Sequence, residues 1–382
     1  MIKFGNRHNL IYLLLLTLFI ALRRIESIIM GLIYNYKGPF LLAVLIFLSK
    51  FLFGLFGYLY SNSGKKINPK YKFMGITLIQ TKKKLKVPDK QNKIMILMFL
   101  ASYFDFVGTV VRKFYIKTSE NNTIEHSVRS FQVFSSAIFC YLLLKTHIYR
   151  HHLFSLIIIF FCLILIVLVE IFCLEGKAKE KLNFFLLTTF SCAGRALLDT
   201  IEKYLFDYDF MNPFKVMMFE GLINTILTIS LFFVLERPLY DINELIENIS
   251  KYYYLLVFFL LLYLILSGLK NIYRVITIKI YSPMARALAE SVLDPFIVAY
   301  YLIRNDYTKN DEFWIYCGVI MFCSIIMPFS SCVYNEFIIL YCCKLEYNTH
   351  VEITNRANRY DSEIILNLEE IKDDEDSNSE KI

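Results

Sequence analysis

Ionisable side chains lie inside long apolar stretches of this chain. The clearest set is Arg286, Glu290 and Asp294, which are spaced i, i+4 and i+8 and therefore share one face of a helix. A charge at membrane depth costs on the order of a few kcal/mol or more, and by default it marks a functional position. The stripe has two readings: a face that binds a solute in a cavity, or an ion-pair ladder that only holds helices together.

A second arginine, Arg129, stands at a similar place earlier in the chain. Arg129 and Arg286 each lie about one turn inside the start of an apolar segment, and small residues follow both. Small residues allow close helix packing in lipid, and a guanidinium holds carboxylate or phosphate through two parallel hydrogen bonds. Together with Gln132, the two arginines predict a site for the anionic group of a solute.

Two further apolar segments carry charge in other patterns. A lone Glu220, with Asn224 one turn later, is also predicted to face the substrate. It is either protonated, because desolvation disfavours a carboxylate, or paired with a basic group. Glu220 is therefore the best candidate for a proton-coupled step. Structural ion pairs are predicted among Arg195, Asp199, Glu202 and Lys203.

The composition places these charges in a membrane protein. Of 382 residues, 57% are hydrophobic and 16% are aromatic, whereas a soluble globular protein is about half apolar. Ten segments are long and apolar enough to cross a bilayer, which takes about 20 helical residues. Their predicted bounds are 10–30, 38–60, 93–111, 124–144, 150–170, 183–205, 213–235, 252–273, 283–303 and 312–332.

The lysines set the predicted orientation. The segment 61–93 holds ten Lys against one acid, and loops rich in Lys and Arg stay in the cytosol. Both chain termini are then cytosolic. The predicted organisation is a first five-helix half over 1–175, which includes the Lys-rich cytosolic loop 61–93, and a second half over 176–335. An acidic, disordered cytosolic tail is predicted over 336–382.

Motif searches exclude several function classes. The sequence contains no GxxxxGK[ST], HExxH, GxSxG or CxxC pattern, so neither ATPase nor other enzyme chemistry is expected, and no cofactor or metal. The net charge is +7, but the Lys and Arg residues are distributed according to the side of the membrane rather than over one soluble domain. Nucleic acid is therefore not an expected partner. The expected partners are a small-molecule substrate, the lipid bilayer and a second copy in a homodimer.

Two kinds of modification site have a sequence signal. Asn121 and Asn248 begin N-x-Ser/Thr sequons in loops predicted to be non-cytosolic, as glycosylation requires. Cys342 and Cys343 follow the last apolar segment and stand beside Lys344. They are either palmitoylated or, as the sequence favours, two plain thiols at the membrane interface.

At these charged positions the chain resembles the drug/metabolite transporter superfamily of EamA type. It is most similar to the nucleotide-sugar-transporter-like solute carrier family 35, subfamily F. In those relatives an Arg-Gly pair opens the fourth helix; here Ser130 follows Arg129. The other residues that carry the resemblance are the basic turn Lys145–His152, Glu202-Lys203-Tyr204, Pro213, Glu220-Gly221, Arg286 and Glu290.

The resemblance implies an all-α membrane protein with ten transmembrane helices arranged as two inverted five-helix repeats. It also implies a secondary transporter that moves a small polar or anionic organic solute, similar to a nucleotide sugar or metabolite, by alternating access. An endomembrane location (Golgi, endosomal or lysosomal) is expected, with the plasma membrane as the alternative. The competing interpretation is a non-transporting receptor or scaffold of the same fold. An aqueous cavity reaching Arg129 and Arg286 favours transport, and a packed centre with paired charges favours the scaffold.

Overall fold

The described part of the chain is helical apart from one short ribbon. A computed structural model describes residues 2–4, 11–33, 39–63, 89–110, 128–129, 131–172, 178–234, 237–304, 311–349 and 352–356. Its helices are α1 (Ile11–Ile33), α2 (Pro39–Ser63), α3 (Asp89–Val110), α4 (Phe131–Leu144), α5 (Arg150–Phe172), α6 (Ala178–Asp207), α7 (Pro213–Val234), α8 (Arg237–Ile280), α9 (Pro283–Ser291), α10 (Asp294–Arg304) and α11 (Asp311–Tyr334). Two strands, β1 (Ile2–Phe4) and β2 (Ile338–Leu340), form the antiparallel ribbon.

Six of the described helices contain a stretch long and apolar enough to cross a membrane. These are α2, α3, α5, α7, α8 and α11, and the all-α membrane class is therefore confirmed. Helix α4 is apolar but has only 14 residues. Helices α1 and α6 each carry several ionised residues, which lower their hydropathy. Three of these residues, Glu26, Asp199 and Glu202, are buried inside the protein.

Three segments differ from the bounds expected from sequence. Helix α4 begins at Phe131 rather than at 124, so Arg129 lies in a turn before the helix instead of one turn inside it. Helix α8 has 44 residues, so it begins well before the predicted 252 and continues past 273. The sequon residue Asn248 therefore lies in a helix rather than a loop. The predicted span 283–303 is divided at Val292 into α9 and α10, next to Pro295, whose ring cannot continue a helix from the preceding turn. The other sequon, at Asn121, lies outside the described residues.

The backbones of helices α2 and α7 are in direct contact where they cross, because glycines lie at the contact points. A Cβ on Gly221 would lie 2.3 Å from the amide nitrogen of Phe51, and one on Gly54 would lie 2.6 Å from that of Met218. Gly57 faces the ring of Phe214 in the same way. The partner numbers fall as the glycine numbers rise, so the two helices run antiparallel.

A second antiparallel pair, α5 and α11, closes the other side of the molecule. The ring of His152 stacks on that of Tyr334, with centroids 4.4 Å apart, so the start of α5 meets the end of α11. A large hydrophobic core lies between these helices, α4 and α9, and includes Ile159, Ile166 and Ile320, which are fully buried.

Both ends of the described chain lie at one face of the bundle. Strand β1 pairs with β2, with Ile2 opposite Leu340 and Phe4 opposite Ile338, directly after α11. This face, which we call the terminal face, also holds the hydrogen bond from Tyr208 Oη to the carbonyl of Leu144 (3.2 Å).

The residues after α11 are more ordered than the predicted disordered tail over 336–382. Strand β2 is followed by a 3-10 turn at Glu346–Asn348 and a short helical segment over 352–356. Pairing with β1 gives the backbone of β2 hydrogen-bond partners, which local composition does not reveal. Residues 357–382, which hold most of the acidic run, lie outside the described residues, as do residues 64–88 of the Lys-rich segment.

Candidate functional site

A network of buried ion pairs occupies the centre of the helical bundle. It has two ends of opposite charge balance, joined through one carboxylate. The cation-rich end holds Arg24, Arg129, Arg195, Lys270 and Arg286 around the carboxylates of Glu290 and Asp294. The acid-rich end holds Lys50 and Arg274 among the carboxylates of Asp105, Asp199, Glu202 and Glu220.

At the cation-rich end each carboxylate is shared by several cations. Glu290 contacts Arg286 (3.0 Å), Lys270 (2.9 Å) and Arg195 (3.6 Å). Asp294 Oδ1 lies 3.2 Å from both Arg24 and Arg129. Ion pairs at this depth persist only where the partners offset the loss of hydration. A surplus of guanidinium and ammonium groups over carboxylates is a setting that favours an additional anion.

At the acid-rich end two cations are shared by several carboxylates. The Nζ atom of Lys50 lies 2.7 Å from Asp105 and 2.6 Å from Glu220. Arg274 reaches Asp199 at 3.1 Å, Glu202, and Glu220 at 3.5 Å. The close crossing of α2 and α7 at Gly221 brings Lys50 beside Glu220, because Glu220 is the residue before that glycine.

Asp199 joins the two ends. Its Oδ1 accepts from Arg274, and its Oδ2 accepts from Arg286 and from the amide of Gln132, both at 2.9 Å. Asp199 is fully buried. A change in the position or charge of Asp199 therefore acts on both ends of the network.

The structure brings the residues predicted to bind substrate into this one network. Arg129, Gln132, Arg286, Glu290 and Asp294 gather around the cation-rich end and Asp199. The other two belong to the acid-rich end, where Asn224 donates to Asp105 Oδ2 at 3.0 Å and Glu220 receives Lys50.

The residues predicted as structural ion pairs are distributed differently from the expectation. Asp199 and Glu202 bind Arg274, and Arg195 contacts Glu290, so three of the four join the network. Lys203 lies outside it. Its Nζ pairs with Asp207 (3.3 Å) and donates to the carbonyl of Lys279. Neighbouring residues of a helix point about 100° apart, which separates Lys203 from Glu202.

Sequence reasoning gave no site role to five members: Arg24, Lys50, Asp105, Lys270 and Arg274. Lys50 had a usable signal, since it is a single cation in the middle of an apolar stretch. Lys270 and Arg274 are spaced i, i+4, but the span predicted to end at 273 placed them around a turn. In the structure both lie inside α8 and are buried.

Exposure within the network is confined to its edges. Arg129 and Arg286 are each 4% exposed, so both predicted anion-binding arginines are covered in this conformation. Small exposed fractions remain on the side chains of Arg24 (15%), Arg195 (16%) and Asp105 (13%). These three side chains are the most exposed of the network, followed by Lys270 at 10%.

Comparisons with known proteins leave the family open. No protein-family model matches the chain, and no curated protein matches it. One solved structure, described only as "Crystal structure of protein", aligns at 12% sequence identity with a TM-score of 0.45, over 82% of this chain and 94% of its own chain. A likeness at this level carries no argument about function.

Proposed function

We propose that this protein is a secondary transporter of the drug/metabolite type, which moves a small polar or anionic organic solute by alternating access. The observation that carries the proposal is the set of ion pairs that cross between the two sequence halves. Lys50 binds Glu220 across the halves, and both Arg24 and Arg129 bind Asp294. Contacts of this kind can exchange partners when two halves rock against each other around a central site.

The proposal includes two inverted five-helix repeats, and the packing partners support it. In this arrangement α6 is the counterpart of α1, and α8 is the counterpart of α3. Helix α1 packs on α8, and the counterpart contact, α6 on α3, is also present. Helices α2 and α7 pack on each other, as do α5 and α11, and within each pair the helices run antiparallel. Equivalent helices of inverted repeats have this relation, since a two-fold axis in the membrane plane reverses their direction.

The charge balance supports an anionic group on the solute. Five cations surround two carboxylates at the cation-rich end. Glu290 contacts three of those cations. When substrate binds, its carboxylate or phosphate replaces Glu290 as the partner of these cations. The partly exposed Arg24 and Arg195 make the first contact, and Arg129 and Arg286 hold the anion once it is enclosed.

A second candidate function rests on the same contacts. Both Arg129 and Arg286 are buried and ion-paired, which is the condition favouring a non-transporting receptor or scaffold of this fold. In that case the network fixes the helices and exchanges no partners. The two functions differ in what happens to the network when a solute is supplied.

Uptake into liposomes that hold the purified protein tests the proposal. A pool of nucleotide sugars, nucleotides and amino acids is supplied, and the trapped solutes are identified by mass spectrometry. Arg286→Ala is expected to abolish uptake, and Arg286→Lys to weaken it, because an ammonium lacks the two-pronged geometry of guanidinium. Arg150→Ala, at an exposed residue of the terminal face, is the matched control. Folded protein that traps no solute from the pool refutes transport and favours the scaffold.

The cellular location is part of the same proposal. We place the protein in an endomembrane, with the terminal face in the cytosol and no enzymatic step assigned to it. Fluorescence microscopy of a tagged protein against Golgi, endosomal and lysosomal markers tests this placement. Labelling of the plasma membrane alone contradicts it.

A further inference from the structure

Two buried acceptor oxygens on α7 lack a hydrogen-bond donor within the described part of the chain. They are Oε1 of Glu220 and Oδ1 of Asn224, and both residues are fully buried. The two side chains are one helical turn apart, at i and i+4, so they are neighbours on the helix surface. Two acceptors cannot bond to each other, but a single hydrogen placed between them satisfies both.

The charges that face Glu220 come from four other helices. Lys50 of α2 and Arg274 of α8 lie against Glu220 Oε2, at 2.6 Å and 3.5 Å. Asp105 of α3 shares Lys50 with Glu220, and Glu202 of α6 shares Arg274 with it. The remaining carboxylate on Arg274 is Asp199, which also binds Arg286.

Four carboxylates thus share two cations at the acid-rich end. Such an excess of negative charge is unfavourable away from water, where charges repel strongly and hydration is lost. Because Asp199 is also paired with Arg286, the remaining excess is one negative charge, and one bound proton removes it. Glu202 and Glu220 are both fully buried, and each has one oxygen without a donor in the described part of the chain. Only Glu220 also has a donor-free acceptor, Asn224 Oδ1, one turn away on its own helix, so Glu220 is the carboxylate best placed to hold that proton.

We propose that Glu220 is a proton-binding site, with the proton on Oε1 donated to Asn224 Oδ1. The Oε2 atom keeps its contact with Lys50. A proton taken from water converts the Glu220 carboxylate to the neutral acid, and its release restores the carboxylate and its full attraction for Lys50 and Arg274. This inference rests on the proposed function in one respect: the proton moves together with the anionic solute, and its charge offsets the solute's charge.

Infrared difference spectroscopy between acidic and alkaline samples tests the site without any substrate. Purified protein in lipid nanodiscs is expected to show the carbonyl band of a protonated carboxyl group at neutral pH. Glu220→Gln removes the band, while its amide keeps a donor for Asn224. Asp207→Asn, at an exposed acid on the terminal face, is the control and keeps the band. A band that persists in Glu220→Gln, or that is lost in Glu202→Gln instead, overturns the assignment.

Asn224→Leu tests the hydrogen bond separately from the fold of the Glu220 variant. Loss of the acceptor Oδ1 is expected to move the carboxyl band toward the frequency of a carboxyl group without a hydrogen bond. An unchanged band position shows that the proton does not point at Asn224 and overturns the geometry. Because Asn224→Leu leaves Glu220 in place, it still reports on the site if Glu220→Gln fails to fold.

Uptake driven by a pH gradient tests the coupling, and its failure is distinct from failure of transport itself. With a solute that the wild type accumulates, an inward proton gradient is expected to raise uptake severalfold. Glu220→Gln is expected to lose the response to the gradient, measured as the ratio of its uptake with the gradient to its uptake without the gradient. Gradient-driven uptake by Glu220→Gln at the wild-type level refutes the coupling. If no solute is taken up under any condition while the infrared band is present, the proposed transport fails and the proton site stands.

Discussion

Replacing Gly221 by alanine should force α2 and α7 apart at the point where Lys50 meets Glu220. The added Cβ would lie 2.3 Å from the amide nitrogen of Phe51 and 2.8 Å from the carbonyl carbon of Lys50. These are backbone atoms, so no side-chain rotation relieves the overlap. An ordinary contact begins at 3.4 Å, which requires the helices to separate by about 1 Å.

A separation of that size is enough to break the ion pair between Lys50 and Glu220 at this crossing. The Lys50 Nζ to Glu220 Oε2 distance is 2.6 Å, and about 1 Å more takes it beyond hydrogen-bonding range. Overpacking alone costs about 1–3 kcal/mol. A buried pair that loses its contact costs more again, since its charges are left without hydration. We therefore expect Gly221→Ala to lower the free energy of unfolding by at least about 3 kcal/mol.

Gly318→Ala is the matched control, because it makes the same substitution inside α11. A Cβ at Gly318 meets nothing within 4 Å, and alanine favours a helix over glycine by up to about 1 kcal/mol. Thermal unfolding in detergent, followed with a dye that reacts with the buried cysteines, measures both variants. The melting temperature of Gly221→Ala should fall, and that of Gly318→Ala should stay or rise. Equal melting temperatures for the two variants refute the close crossing of α2 and α7.

Three further expectations follow from the network and the terminal face. Glu290→Gln removes the carboxylate that Lys270 and Arg286 share, so thermal unfolding in detergent should show a loss of about 3–5 kcal/mol; wild-type stability would show that these cations are compensated elsewhere. Lys203→Ala breaks a pair with the largely exposed Asp207 and should change stability by no more than about 1 kcal/mol in the same assay. Epitope tags at the two chain ends should have the same protease accessibility in sealed vesicles, because β1 and β2 pair; tags on opposite sides would contradict the shared face.

The charged stripe shows how far the sequence reaches. The i, i+4 spacing of Arg286 and Glu290 indicated one helical face, and both reach the network from α9. Asp294 was expected on the same face, but it begins α10 after the break and reaches the network from there. The helix is interrupted at 292–293, shortly before Pro295, whose ring is incompatible with the preceding helical turn. Their partners were not legible. Asp199 comes from α6, and its contact with Arg286 depends on how two distant helices pack.

Lys50 shows where sequence reasoning stops. It is the single cation of an apolar stretch, but nothing local connects it with Glu220, which lies 170 positions later. The predicted span ended at 273, which placed Lys270 and Arg274 at its end, next to the following turn; the helix continues to Ile280. Helix ends are set by capping and tertiary contacts as well as by composition, so their burial was decided by the fold.

The sequence by itself determined the membrane class, the approximate helix positions and the presence of costly charges inside them, because hydropathy and helical period are local properties. The tertiary structure decided which charges share a partner. It placed five cations around Glu290 and Asp294, and four carboxylates around Lys50 and Arg274. The physical reason is that an ion pair depends on separations of a few ångströms between residues far apart in the chain, and only the packing of the helices sets those separations.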